Sequence, residues 1–485
     1  MNTLPDEILE RILMHLHPLD RLQCALTCRR WAELGSTHRL LKDVAFVVPY
    51  NNVGGARSAL VKSQRRYTNL QIGSRRYQPG NIRLVDFDSG FWVEVGRNLR
   101  SLDIRRCDVE PEGFGSILRH CRMLEFLGIQ GNASLSDRLH SLKEPPFEPL
   151  LHLRRVSLYG SLKADTLDAF ISLMPNLASL TFGGWSSDTA EGIMSCLMKP
   201  GLESLNLDFD SGNLDQDTKL GIIGLVEETS ANLRGLGLSE LVRKLTFVEK
   251  LAIDSRGGLR HLSIRGPLSL EDFRVDKLHF KCPDLEAFCW RGDLSPSGLR
   301  SSTELFEGMA RLKNLRVLVV ASRGEGPTSE SFASLVETLG ELEELSIDCG
   351  KLTDADGVKI HLLKKLRRVE FSRATGFTDR TFERGLGSTT LKEIAITHSS
   401  LTDVGLAGIV AHHSLLEGLH LEGCEQISDE GITSALQELR LLRDLSLVMC
   451  PMLTDLVLEE VQISCTRLRT FEVWTPFESG QARNR

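Results

Sequence analysis

The sequence predicts an α/β solenoid, with short parallel strands along a concave side and helices outside, preceded by a small three-helix unit. Three observations lead there. A Leu-rich unit recurs over roughly three quarters of the chain. A Ser/Thr-Asp pair follows several of the units at a fixed distance. The N-terminal stretch carries three short patterns of helical period. At 485 residues the chain exceeds one ordinary domain, so it is either several domains or a repetitive array.

The repeat is clearest near the C-terminus. Leu416, Leu419 and Leu421 stand at positions one, four and six of a unit, with Cys424 at nine. Leu442, Leu445, Leu447 and Cys450 repeat those offsets. The pattern runs back through Leu391/Ile394/Ile396, Leu342/Leu345/Ile347, Leu285/Phe288/Trp290 and Leu153/Val156/Leu158 to Leu99/Leu102/Ile104. Counting the last, Leu468/Phe471/Val473, there are fifteen units, with starts 24 to 31 residues apart. Positions four and six of a strand point to the same side, here inward. Position one supports them from the preceding turn. A Cys at nine can reach backbone groups left unpaired where the chain leaves the strand. One unit buries too little to fold, whereas stacked units share a continuous core and a parallel sheet.

Thr353-Asp354, Thr378-Asp379, Thr402-Asp403, Ser428-Asp429 and Thr454-Asp455 follow their units' first Leu by eleven or twelve residues. Such residues cap helix N-termini. Apolar residues at helical spacing come next, as in Leu406, Ile409 and Val410, or Ile432, Leu436 and Leu439. Each repeat therefore reads strand, turn, helix. The unit resembles leucine-rich repeats of the cysteine-containing type, most specifically over residues 342–450. The spacing stretches near 208–245 and 268–305, where loops or irregular helices are expected.

At the N-terminus, Ile8, Leu9, Ile12, Leu13 and Leu16 form an apolar face of helical period, with Pro5, Asp6 and Glu7 suited to its first turn. Pro18 ends that helix and Asp20 can cap a second carrying Leu22 and Leu26. Trp31 and Leu34 fall on a short third. So small a unit needs outside cover, from the repeats or from a partner. Leu4-Pro5, Ile8-Leu9, Ile12-Leu13, Leu16, Asp20, Leu26, Cys28 and Trp31 resemble the F-box motif. Leu13 stands where Phe is common, Arg21 where Leu is common, and Thr27 where Val is common; Arg21 and Thr27 are expected to weaken packing of the second helix.

The resemblance implies a substrate-recognition subunit of an SCF-type cullin–RING ubiquitin ligase. The F-box would dock on a Skp-type adaptor through Leu4, Pro5, Ile8, Leu9, Ile12, Leu13 and Leu16, and the repeats would hold the substrate protein. The alternative is a non-degradative repeat scaffold or inhibitor of a protein partner. The implied boundaries are 1–46 for the F-box, 47–97 for a connector with a degenerate capping repeat (Ile82, Val85, Phe87), 98–475 for the solenoid and 476–485 for a polar tail.

The connector holds Arg65-Arg66-Tyr67 and its echo Arg75-Arg76-Tyr77. Basic residues with interleaved aromatics suit RNA, but the chain carries 65 acidic against 58 basic residues. The segment reads instead as a solvated loop with one irregular strand, and nucleic acid is not expected as a partner. On the repeat face, position seven offers Tyr159 and Trp474 as aromatic anchors, and Arg265 and Arg291 as a pair able to grip a carboxylate or phosphate.

Other classes of function find no residues. There is no phosphate-cradling Gly loop, zinc spacing or nucleophile elbow, so neither enzyme activity, cofactor nor metal is expected. Cys24 and Cys28 read as small core residues, and His412-His413 as solvated. No stretch approaches the ~20 apolar residues that span a bilayer. An odd number of cysteines, eleven, without a leader pattern suggests free thiols in a cytoplasmic or nuclear setting.

Overall fold

The structure is a computed structural model. It describes all residues except 1–3, 17, 43, 50–51, 64, 74–81, 84–86, 106, 109–110, 131–147, 160–169, 184–200, 209–232, 240–257, 266–277, 293–300, 322–325, 387–390, 466, 469 and 475–485. The chain divides into two units, Met1–Asn232 and Leu233–Arg485.

The first unit opens with a helical head. Helix α1 (Asp6–His15) starts after Pro5, whose extended backbone forms the N-cap, and carries Asp6 and Glu7 in its first turn. Helix α2 (Pro18–Ala25) begins at Pro18 itself, a residue suited to a first helical position. Helix α3 (Arg29–Leu34) follows Cys28. A fourth, one-turn helix, α4 (His38–Leu41), lies beyond the three that the apolar spacing predicts. Four residues are too few to show a helical period. This helix is held by buried Leu40 and Leu41, by Thr37 Oγ1 donating to Glu10 at 3.0 Å and by the Arg39–Glu10 ion pair at 3.4 Å.

The parallel ladder begins upstream of Leu99. Strand β1 (Ala45–Val48) pairs with β2 (Asn69–Ile72), and β2 with β4 (Ser101–Arg105); a separate two-stranded sheet joins β3 (Ile82–Arg83) to β5 (Cys107–Asp108). Beyond β4 the ladder continues through β6 (Phe126–Gln130), β7 (Arg155–Tyr159), β8 (Ser179–Gly183) and β9 (Ser204–Asp208). The connector is thus more than a loop with the one expected strand, which is β2. It also carries helices α5 (Val53–Lys62) and α6 (Ser89–Val95), and the latter is capped by Asp88, which accepts from the Phe91 amide at 2.8 Å. Of the expected capping residues, Phe87 is buried against Phe91 and Trp92, Ile82 lies in β3, and Val85 falls outside the described residues. Helix α7 (Pro111–His120) follows β5.

The second unit repeats the strand–turn–helix plan. Its strands run β10 (Gly235–Ser239), β11 (His261–Arg265), β12 (Ala287–Arg291), β13 (Val317–Ala321), β14 (Glu344–Asp348), β15 (Arg368–Ser372), β16 (Glu393–Thr397), β17 (Gly418–Glu422), β18 (Asp444–Val448) and β19 (Thr470–Trp474). Each pairs in parallel with the next. In β10 to β19 positions three to seven form the strand, and the Leu-type residues at one, four and six are buried from Leu233 to Leu447. Full burial of each such side chain is worth about 1.5–3 kcal/mol, repeated down the array. Helices α8 (Leu278–Lys281), α9 (Ser301–Ala310), α10 (Ser329–Thr338), α11 (Asp354–Gly357), α12 (Asp379–Arg384), α13 (Asp403–His412), α14 (Asp429–Glu438) and α15 (Leu456–Ser464) alternate with the strands.

The Ser/Thr-Asp pairs do more than cap. Thr353, Thr378, Thr402 and Ser428 are N-caps, while at the fifth pair the helix starts one residue later, after Asp455. The Asp of one repeat reaches the cap of the next. Asp354 accepts from the Thr378 amide at 2.8 Å and hydroxyl at 2.6 Å; Asp379 does the same for Thr402, at 2.8 and 2.6 Å. Asp403 accepts from Ser428 at 2.9 and 2.5 Å, and Asp429 from Thr454 at 2.8 and 2.5 Å. A carboxylate at a helix N-terminus is favoured by the helix dipole, and here it also fixes repeat spacing.

The position-nine thiols sit as expected. Cys450 Sγ donates to Val448 O at 3.5 Å and Leu421 O at 3.8 Å, and Cys107 Sγ to Arg105 O at 3.2 Å. Burial pushes the Cys107 thiol up to about 12. Every described cysteine is free. The described helices include none long and apolar enough to cross a membrane.

Candidate protein-binding surfaces

Alternate faces of α1 have opposite fates. Leu9 and Leu13 are 1% exposed and belong to the head's own core, so they are not available to an adaptor as first expected. Ile8 and Ile12, one turn apart on the other face, are each 42% exposed. Pro5 continues that strip at the N-cap, and Leu4 and Leu16 are half-buried. On α2, Leu22 is exposed, and just past its end Leu26 is 73% exposed. The helical period signalled an apolar face, but it could not separate core from contact.

Arg21 corrects a second expectation. It does not loosen α2: it is 8% exposed, and its guanidinium donates to Leu13 O at 2.8 Å, Leu16 O at 2.9 Å and Leu40 O at 2.7 Å. These carbonyls stand in the last turn of α1, just past its end and in α4, and Leu13 O also accepts from the Leu16 amide at 3.1 Å. One buried cation therefore caps α1 and holds α4. Arg30 completes the tie, donating to Asp6 Oδ1 at 2.6 and 2.9 Å. Thr27 places its hydroxyl on Cys24 O at 2.7 Å. Cys24 is half-buried and Cys28 exposed, so only the first fits the reading as a core residue.

On the repeat face, Arg265 and Arg291 are register neighbours on β11 and β12, both exposed. Tyr159 lies in the first unit, half-buried, its ring over Gly183. The backbone of Trp474 pairs with Val448 on the last strand, and its side chain is outside the described residues. The structure joins the two arginines as neighbours across the parallel ladder. Arg75, Arg76 and Tyr77 are also outside the described residues.

The sequence reading missed a chain of alternating charge at positions three and five. Arg368 bridges Glu344 at 3.7 Å and Glu393 at 3.2 Å, and Glu393 meets His420 at 3.6 Å. The approach of His420 is the main cause holding Glu393 below the usual carboxylate range, opposed by burial and aided by Arg368. Alternating Glu, Arg and Glu at position three of successive units was the signal. Nearby, Asp348 is clamped by Arg373 through two hydrogen bonds of 2.7 and 2.8 Å. Among the described residues no cluster of three or more His, Cys, Asp or Glu is placed to hold a metal.

Residues 1–46 match the F-box-like family, and residues 97–118 match a leucine-rich-repeat family. The chain combines an F-box-like segment at its N-terminus with leucine-rich repeats. It is similar to the F-box protein MAX2 of Arabidopsis thaliana, 27% identical over 191 residues, which is 36% of this chain and 28% of that protein. The chain therefore aligns with well under two thirds of that relative's length. Among solved structures it is similar to the complex of Rad7 and Elc1 in yeast, with 16% identity, 84% of this chain and 85% of that chain covered, and a TM-score of 0.48. A leucine-rich-repeat protein of Leptospira interrogans, LIC12759, aligns over 89% of this chain and 95% of its own at 16% identity and a TM-score of 0.33.

Proposed function

We propose that this F-box and leucine-rich-repeat chain is the substrate-recognition subunit of an SCF-type cullin–RING ubiquitin ligase. The F-box segment docks on a Skp-type adaptor, and the repeats hold a protein substrate. The subunit performs no chemistry itself; it raises the effective concentration of the substrate near a ubiquitin-charged enzyme.

The observation that carries the reading is the strip of Pro5, Ile8 and Ile12. It stays exposed on a head whose core is already closed by Leu9, Leu13 and Arg21. Apolar side chains left outside a completed core fit a partner surface. The match of residues 1–46 to the F-box-like family supports it.

Co-purification with a Skp-type adaptor tests the proposal. The wild-type chain retains the adaptor, and Ile8→Asp with Ile12→Asp releases it without lowering the melting temperature. A wild-type chain that never retains the adaptor overturns the ligase reading and leaves a non-degradative scaffold.

A further inference from the structure

We propose that a cleft of about 960 Å³ between α3 and the first strands of the ladder binds a compact polyphosphorylated small molecule. Three separate stretches of sequence supply its cations: Arg29 from α3, Arg65 and Arg66 from the segment before β2, and Arg97 and Arg100 from the turn between α6 and β4. Against these five guanidinium groups the lining has one carboxylate, Glu33, and that already pairs with Arg29 at 3.1 Å. Arg100 has Glu125 beside it. Among the described residues Arg65, Arg66 and Arg97 have no carboxylate partner.

Arg65, Arg66 and Arg97 line one cleft without a carboxylate partner among the described residues, and like charges so gathered repel one another until an anion enters. Guanidinium groups bind phosphate bidentately. The volume lies within the roughly 300–1,000 Å³ of small-molecule sites. Ser36, Ser63 and Asn98 add uncharged hydrogen-bonding groups to the wall. The Ser36 hydroxyl already accepts from Arg65 Nε at 3.3 Å, which ties two lining residues together.

The lining selects among anions. It contains no aromatic residue on which a base could stack, and Tyr67 packs edge-on against Phe46 at 5.2 Å. That disfavours RNA. Its only apolar residues are Ala32 and Met123, and β2 is paired on both sides by β1 and β4. No strand edge or apolar pocket is offered to a phosphopeptide. Clustered phosphates on a small scaffold remain.

Inorganic tripolyphosphate is the probe, added to the full chain in 0.15 M salt, a concentration chosen because it screens weak surface attraction with a Debye length of about 8 Å. Tripolyphosphate raises the melting temperature, and calorimetry shows one site. Orthophosphate binds at least tenfold more weakly. Arg66→Gln with Arg97→Gln weakens tripolyphosphate at least tenfold, and the ligand-free melting temperature stays unchanged because both side chains are exposed. Three outcomes overturn the proposal: no binding, binding undiminished in the double variant, or tighter binding of an oligoribonucleotide or phosphoserine peptide that the same variant abolishes.

Discussion

The guanidinium of Arg21 donates to the carbonyl of Leu40 at 2.7 Å, across nineteen residues, from inside the helical head. A Leu in its place would supply more apolar surface but satisfy none of the carbonyls at Leu13, Leu16 and Leu40. Arg21→Leu therefore destabilises the chain by about 2–4 kcal/mol, since bonds from charged donors and buried orphaned acceptors each cost ~1–3 kcal/mol. Thermal or urea unfolding followed in the head measures it. A variant as stable as wild type would show that the clamp is decorative.

The aspartate ladder makes neighbouring repeats depend on one another. Asp403→Ala removes both acceptors for Ser428. It lowers stability by about 1–3 kcal/mol, and Ser428→Ala, which loses the hydroxyl but keeps the amide, costs less. A double-mutant cycle in urea shows strong coupling if the two act as one contact.

The same ladder sets an acid limit. Burial opposes ionisation of Asp354, but hydrogen bonds from Thr378 and Thr381 outweigh it and hold its carboxyl below the usual range. A folded value below the unfolded one means stability is full above about pH 4 and is lost as pH falls through the folded value. Replacing Asp354 by Asn flattens that part of the stability profile.

His413 adds a second, milder limit. Expected as solvated, it is 3% exposed, and its Nε2 lies 2.6 Å from Leu386 O. Its neighbour His412 is exposed. Burial lowers the His413 pKa, the Leu386 carbonyl opposes that shift, and His412 adds to it. Its stabilising effect is complete above the ordinary histidine value, about 6.5, and declines as pH falls below it. Urea unfolding at pH 7.5 and 5.5 shows a smaller loss in His413→Gln than in wild type.

Position eight, directly after the strand, turns left-handed in four successive repeats: Arg373, His398, Gly423 and Met449 have φ of 51°, 50°, 61° and 52°. Only Gly takes this conformation without strain; other residues lose about 1–2 kcal/mol. Gly423→Ala destabilises by at least about 1 kcal/mol, because a Cβ there also meets the His398 ring at 2.9 Å. Met449→Gly leaves stability unchanged or slightly higher. Differential scanning calorimetry distinguishes the two.

Much of the fold was legible because a solenoid is governed by local period. Leu416, Leu419 and Leu421 mark one inward face, and their spacing alone specifies strand, turn and helix. The adjacency of Arg265 and Arg291 was legible for the same reason, since equal offsets in consecutive units become register partners. The strands at Ala45–Val48 and Asn69–Ile72 were less so, because their units depart from the Leu spacing and are held by pairing with a neighbour.

By itself the sequence determined the repeat, its register and the apolar character of α1, all of which follow from side chains a few residues apart. Only the tertiary structure decided that Leu9 and Leu13 close the head while Ile8 and Ile12 stay outside, that Arg21 is a clamp, and that Arg29, Arg65, Arg66, Arg97 and Arg100 share a cleft. Those outcomes depend on which distant segments fill the space beside each residue, and periodicity along a chain carries no information about that.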